Sequence, residues 1–365
     1  MSNINQHSIT VYNSPRDSCP WNTGPTDRFC EWLFDNKMSL TNNTNIPLSV
    51  AVWLADDTYD HNSDPYTISA TSLLKPIKEI VLNRTLTIDR EIDITALIAS
   101  KMGTAAHDGI EDAWRNRAGK ALQRLGYPQK VWDNIVINPS EGQRGLADNI
   151  DIFLEMRGSK KLGKWTVSGK FDFVAEGNLE DFKTKKVWAW IFATQDDYME
   201  FIRQGSIYRW LHPEIITGDH IAIDYLFTDW KPMEARTKKD YPPNQIIQKK
   251  FPLLSLADIE KWLVDRLKQI DQYTGAKQDV IPECTPVELW QDDPVYKYYR
   301  DPNKTIKSTK NFPNDSAGAY ARLATEGKGI VKRFPGLVKK CNYCSVQSIC
   351  QQRDGYELAG TLKQL

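Results

Sequence analysis

The chain has 365 residues, 41% hydrophobic and 11% aromatic with 12 Trp, which gives room for about two or three domains and a sizeable core. Its 47 Lys and Arg balance its 47 Asp and Glu, so no global field draws it to nucleic acid or membrane, and any nucleic-acid surface has to be a local patch. No apolar run approaches the roughly 20 residues that span a bilayer. Met1–Thr10 is polar, without a secretory signal, so the cytoplasm is the expected compartment and the six cysteines are not expected to form a disulfide framework.

Residues 1–66 form a segment with no readable chemistry. Pro, Asn, Asp, Ser and Thr are frequent there, Cys19 and Cys30 lie near Trp21 and Trp32, and Leu48–Leu54 reads as a strand or a short buried helix. Residues 67–275 read as the main domain. Ser69 or Thr71 caps a short helix through Leu74, which Pro76 ends or re-aims. Apolar residues at three- and four-residue spacing predict a helix over about Lys101–Leu125, closed by Gly126 and Pro128. His107 and Glu111 lie one turn apart on it, and alone that is an ordinary surface pair. The small residues Gly103–Ala106 permit another backbone to approach closely. Val131–Asn138 and Ala147–Glu155 read as extended.

The next stretch organises the rest. Lys164–Ala175 alternates, Glu176-Gly177-Asn178 supplies turn chemistry, and Leu179–Lys183 returns as a strand. Alternation puts Asp181 and Lys183 on one face and Phe182 on the other, with Asp172 on the partner strand close to Asp181. Two carboxylates beside an ammonium repel unless a cation neutralises them, and Mg²⁺ or Mn²⁺ is the natural occupant. Read alone, the hairpin is equally well a solvated charged face. Val187–Ala193 is a buried strand or the start of a helix, Asp196–His212 is a helix carrying Gln204 and Tyr208 four apart, and His220–Thr228 is a strand. Ser255–Tyr273 is an amphipathic helix with a Ser255/Asp258 cap. The order of elements predicts a mixed sheet flanked by helices, in the α/β (α+β mixed) class.

Residues 276–365 change character. Ile281–Pro286 is a rigid loop holding Cys284, Pro302–Pro313 reads as a surface loop and Ala317–Glu326 as a helix. Cys341-Asn342-Tyr343-Cys344 followed by Cys350 has metal-chelating spacing, with Cys284 the best fourth ligand. The basic runs at 183–186, 236–239, 249–250, 332–333 and 339–340 are each, alone, more often a solvated face than a phosphate site.

In series, Gly103…His107…Glu111, Gly169…Asp172, Asp181-Phe182-Lys183-Thr184 and Gln204…Tyr208 resemble the RecB-like branch of the PD-(D/E)XK nuclease superfamily, over about residues 100–210. The Cys tail resembles the iron–sulfur staple of AddB-like nuclease domains, of the CRISPR-adaptation exonucleases and of phage-type exonucleases, in which a loop similar to Pro282–Thr285 precedes it. In AddB-type enzymes the first cluster Cys precedes the helix His, and here Ser72–Pro76 has none. The resemblance implies a Mg²⁺- or Mn²⁺-dependent DNA nuclease, an exonuclease before an endonuclease, in recombination, repair or phage replication. It implies His107, Asp172, Asp181 and the Phe182 carbonyl as metal ligands and Lys183 as the group that orients water. Gln204 and Tyr208 then position DNA or Lys183, Glu111 and Glu180 stand in a second tier, and Lys185, Lys186 and Arg203 contact phosphate. Cys284, Cys341, Cys344 and Cys350 would hold a 4Fe-4S cluster, or Zn²⁺. The sequence names no recombination or helicase partner. Two rivals stay open: a non-catalytic nucleic-acid-binding protein on the same fold, and a Zn-ribbon module joined to an unrelated α/β enzyme.

Overall fold

In the computed structural model, residues 38–56, 64–86 and 90–364 are described. Cys19, Cys30, Trp21 and Trp32 lie outside the described residues. Strands β1 (Met38–Thr41), β2 (Thr67–Ser69) and β3 (Arg90–Asp93) precede the long helix α1 (Ile98–Arg124). Then follow β4 (Ile135–Ile137), β5 (Ile150–Leu162), β6 (Trp165–Ala175) and β7 (Asn178–Lys185), helix α2 (Gln195–Leu211), β8 (His220–Phe227), β9 (Ile246–Pro252) and helix α3 (Leu256–Tyr273). Among the described residues, one compact unit holds those before Lys75 and those from Arg90 to Leu263; the other holds Lys75–Leu86 and those from Val264 on.

The first unit is built on a seven-stranded mixed sheet in the order β4-β5-β6-β7-β8-β9, with β2 added beside β6. The pairs β5–β6, β6–β7 and β8–β9 are antiparallel; β4–β5, β7–β8 and β2–β6 are parallel. This is the mixed α/β fold that the order of elements predicts. Alternation decides the faces. Phe173 and Phe182 point towards α1, where Trp114 packs on Phe173 with ring centroids 5.1 Å apart. Asp181 and Ile221 point towards α2. A capping box between Thr194 and Asp197 starts α2, and Ser255 caps α3 through the Asp258 backbone N–H. Gly103 sits where α1 leans on β7: a Cβ there would lie 3.2 Å from Thr184 Oγ1.

Several local expectations shift. Leu48–Ala55 is the helix alternative rather than the strand. Thr67–Ser69 is already strand, and Ser69 caps the helix Ala70–Leu73 by accepting from the Ser72 backbone N–H. Pro76 does more than end that helix: it caps a second one, Ile77–Thr85, which belongs to the other unit. Pro128 likewise caps a short helix, Gln129–Asp133, leaving only Ile135–Ile137 as strand. Val187 does not continue β7 because Asp229 Oδ1 takes its N–H at 2.7 Å, and Trp188–Ile191 then makes one helical turn.

In the second unit, β10 (Val295–Tyr299), β11 (Lys310–Pro313) and β12 (Ile330–Phe334) form an antiparallel sheet in the order β11-β10-β12. Part of the expected loop 302–313 is therefore strand. Helix α4 (Ser316–Glu326) covers one face, where Tyr298, Phe312 and Ala319 are buried together. Helix α5 (Gln351–Leu358) follows Cys350 directly. No helix among the described residues is long and apolar enough to cross a membrane.

The β6–β7 turn is tighter than expected. Ala175 pairs with Asn178, so Glu176 (φ 49°) and Gly177 (φ 78°) alone make a two-residue turn with both φ values positive. A Cβ on Gly177 would stand 2.1 Å from Thr217 Oγ1. Gly177→Ala should therefore lower stability by at least the ~1–2 kcal/mol of a left-handed non-glycine residue, read from the midpoint of urea unfolding.

Candidate functional site

The site grows from a gap in the sheet. Along one edge of β6, Thr166–Ser168 pair with β2 and Phe173–Ala175 pair with β7. Gly169–Asp172, in between, have no ladder partner on that edge among the described residues. Asp172 stands across from Asp181, one step beyond the last pair, Phe173 with Glu180. The Phe182 N–H donates to Asp172 Oδ2 at 2.9 Å, and the Phe182 carbonyl accepts from His107 Nε2 at 2.9 Å. Side chains thus take both backbone groups that would have continued the ladder.

With Nε2 on that carbonyl, Nδ1 is the His107 nitrogen that faces acid: it lies 3.5 Å from Asp172 Oδ2 and 3.9 Å from Glu155 Oε1. An imidazole fixed this way through a backbone carbonyl is what metal-binding histidines use. Glu155 lies on β5 opposite Asp172, between the pairs Leu154–Phe173 and Met156–Phe171. Its φ is 51°, a left-handed conformation inside a strand that non-glycine residues adopt at a cost and that recurs at functional sites. His107, Glu155 and Asp172 each offer a ligand atom, all within 4.8 Å of one another. Burial raises the Glu155 pKa, against its ion pair with Lys170 and helped by the charge of Asp172. The hydrogen bond to Asp172 raises that of His107 against the effect of burial. Two carboxylates are hard donors, suited to Mg²⁺ or Mn²⁺, and the imidazole adds a borderline nitrogen donor. Sequence reasoning missed Glu155; the available signal was a lone acid inside Ile152–Met156, otherwise apolar.

Asp181 is 1% exposed and stands outside that trio. Lys183 Nζ is 2.5 Å from its Oδ2, and Gln204 Nε2 donates to its Oδ1 at 3.2 Å and to the Tyr208 hydroxyl at 2.8 Å. Burial pushes the Asp181 pKa up to about 6, with Lys183 opposing and Asp172 adding to the rise. Burial pulls Lys183 down, but the charges of Asp181 and Asp172 outweigh it and the ammonium is held above its usual range. Burial keeps Tyr208 a neutral phenol. The hairpin therefore delivers a carboxylate–ammonium pair beside the trio, clamped from α2.

The remaining candidates sit elsewhere. Glu111 pairs with Arg115 at 2.6 Å. Glu180 points to the Phe182 face and meets Asp224, whose carboxylate Gln248 contacts at 3.1 Å. Lys185 and Lys186 are exposed at the end of β7. Arg203 stacks over Trp262, 5.2 Å from its ring centroid.

In the second unit, Cys284, Cys341, Cys344 and Cys350 line one pocket together with Lys78, Lys340 and Arg353. Gln352 holds the Cys284 loop at both ends: its Oε1 accepts the Cys284 N–H at 2.8 Å and its Nε2 donates to the Cys284 carbonyl at 2.9 Å. Gln278 does the same around Cys350, through the Ile349 carbonyl and the Gln351 N–H. Burial pushes the Cys284 thiol up to about 12 and Cys344 up to about 11, and raises Cys341. Cys284, Cys341 and Cys344 therefore stay protonated by themselves, while a metal would hold the cysteines as thiolates. The buried Lys78 and the two other cations would offset the resulting negative charge.

No protein family's sequence profile matches the chain, and no curated protein matches it. Among solved structures it is similar to SSO0001, at 12% identity and a TM-score of 0.35, over 62% of this chain and 87% of that one. It is also similar to a phage-related exonuclease from Haemophilus somnus 129PT, at 15% identity and a TM-score of 0.26, over 57% and 95% respectively. At these TM-scores neither likeness bears on the reading of the site.

If His107, Glu155 and Asp172 form one ion site, Glu155→Gln and Asp172→Asn should each weaken Mn²⁺ binding by at least about tenfold in calorimetric titration, more than Glu111→Gln does. The Glu180–Asp224 pair gives a test of pH dependence. Burial raises both acids, and the charge of Asp224 adds to the rise in Glu180, so the folded chain keeps protons that the unfolded chain gives up at lower pH. The penalty is absent below the unfolded value and complete above the folded one. Glu180→Gln should raise the melting temperature at about pH 8, and the gain should shrink as pH falls towards the ordinary carboxylate range.

Proposed function

We propose that the chain is a divalent-metal-dependent deoxyribonuclease of the RecB-like PD-(D/E)XK kind, acting on DNA ends or single strands as an exonuclease. The observation that carries this is the meeting of His107, Glu155 and Asp172 beside the Asp181–Lys183 pair. His107 Nδ1, Glu155 and Asp172 would hold the ion, with the Phe182 carbonyl fixing the imidazole and Asp181 next to the set. A divalent ion bound there would polarise the scissile phosphate and lower the pKa of a bound water.

The rest is work for this chain's own side chains. Lys183, charged at neutral pH, donates a hydrogen bond that orients the attacking water and stabilises negative charge building on phosphorus. Water oxygen bonds to phosphorus and the bond to the leaving sugar oxygen breaks, leaving a phosphate monoester and a hydroxyl. Gln204 holds Asp181, and Asp181 holds Lys183 in place. Lys185 and Lys186, exposed at the strand end, meet flanking phosphates. The choice of DNA, and a setting in recombination, repair or phage replication, comes from the resemblance. The Cys pocket would hold a 4Fe-4S cluster that ties the C-terminal segments together, with Zn²⁺ as the alternative. A non-catalytic nucleic-acid binder is the second reading; the intact Asp172, Asp181 and Lys183 favour the enzyme.

The test uses 5′- and 3′-labelled single- and double-stranded DNA with Mg²⁺ and Mn²⁺ titrated. Metal-dependent degradation should fall at least about 100-fold in Asp181→Ala and Lys183→Ala. Intact DNA under every metal condition would sink the enzyme and leave the binder. In parallel, anaerobically purified protein should absorb near ~400 nm and contain iron, and Cys344→Ala should lose both; zinc without iron would assign the other metal.

A further inference from the structure

The second unit carries a concentration of charge that the nuclease reading does not use. Between Val295 and Phe334 there are nine Lys and Arg against three Asp and Glu, in a chain whose charges balance overall. All three acids are engaged. Glu326 pairs with Arg300 and Arg322, Asp301 lies 4.0 Å from Lys304, and Asp315 caps α4 through the Gly318 N–H. Lys297, Lys307, Lys310, Lys328, Lys332 and Arg333 have no ion pair among the described residues.

Two of these cations face each other. Lys297 on β10 is directly opposite Lys332 on β12. Like charges across a strand pair are destabilising unless something answers them. Both are on the sheet face away from α4, because their neighbours Tyr298 and Val331 pack under the helix. Phe334 is on the same face, 38% exposed, with Lys297 Nζ 4.3 Å from its ring centroid, while Tyr299 on that face is buried with Lys332 Nζ 6.0 Å from its ring centroid. Thr305 meets Lys332 Nζ at 3.3 Å from the loop above.

We propose that the exposed end of this sheet face is a second nucleic-acid site, binding a single strand with phosphates on Lys297 and Lys332 and a base stacked on Phe334. Paired cations with an exposed aromatic are the elements of sequence-tolerant strand binding. The choice of a nucleic-acid strand over another polyanion rests on the nuclease reading of the first unit; the anion site itself does not.

The experiment is fluorescence anisotropy of labelled oligo-dT with the full chain in EDTA, where no metal-dependent cleavage occurs, across a range of NaCl. Lys297→Ala/Lys332→Ala should weaken binding about tenfold and reduce the slope of log affinity against log salt by about 1.4, two phosphates on a single strand. Phe334→Ala should weaken it several-fold more than it weakens heparin binding. Lys332→Glu is the internal check, since it turns a repelling pair into an attracting one: melting temperature should hold or rise while DNA affinity falls. The exposed pair Lys261→Ala/Lys268→Ala on α3 should change neither. Affinity and salt slope unchanged in the double variant would overturn the site. Equal losses for heparin and DNA, with Phe334→Ala neutral, would overturn the assignment to nucleic acid. Neither result touches the cleavage assay, so the two readings fail separately.

Discussion

One hydrogen bond sets the geometry of the first unit: the Phe182 N–H on Asp172 Oδ2. A side-chain carboxylate stands where a backbone carbonyl belongs, so β6 and β7 stop pairing while both remain in the sheet. Into that gap come an imidazole from α1 and a carboxylate from β5, and the neighbouring residues of β7 present an acid and an ammonium. Breaking a ladder inside a sheet strands polar groups unless something replaces each lost bond. Here every replacement is a side chain that can also meet a ligand.

The charges are arranged with similar economy. Glu155 and Asp181 crowd beside Asp172, burial disfavours the ionisation of these two, and Lys183, Lys170 and His107 are the cations that lie among the acids. Burial works against the charges of Glu155, Asp181, Lys183 and His107, yet Lys183 and His107 are held towards their charged forms by the acids around them. Such mutual dependence makes the cluster sensitive to removal of any member, since the partner left behind is a desolvated ion.

Much of this was legible from residue order. Strict alternation in 164–185 located the hairpin and the shared face of Asp181 and Lys183, and helical spacing located α1 and α2 with His107 and Gln204 on them. Glu155 was not legible, because its role depends on a backbone conformation that no periodicity encodes. The Phe182 carbonyl was foreseen as a ligand, and the fold gives it the His107 N–H. Short elements eluded the pattern for a local reason: Pro76 and Pro128, which read as terminators, also start the helices that follow. The small sheet β10–β12 was hidden in segments too short and too charged to show a face.

The left-handed backbone at Glu155 carries an evolutionary consequence. Glycine would relax that torsion and shed the crowded acid at one stroke, so a sturdier chain at this position is also one without the Glu155 carboxylate. Where a relative carries glycine at position 155, the same sheet would keep its bend and lose one of the three donor groups around His107.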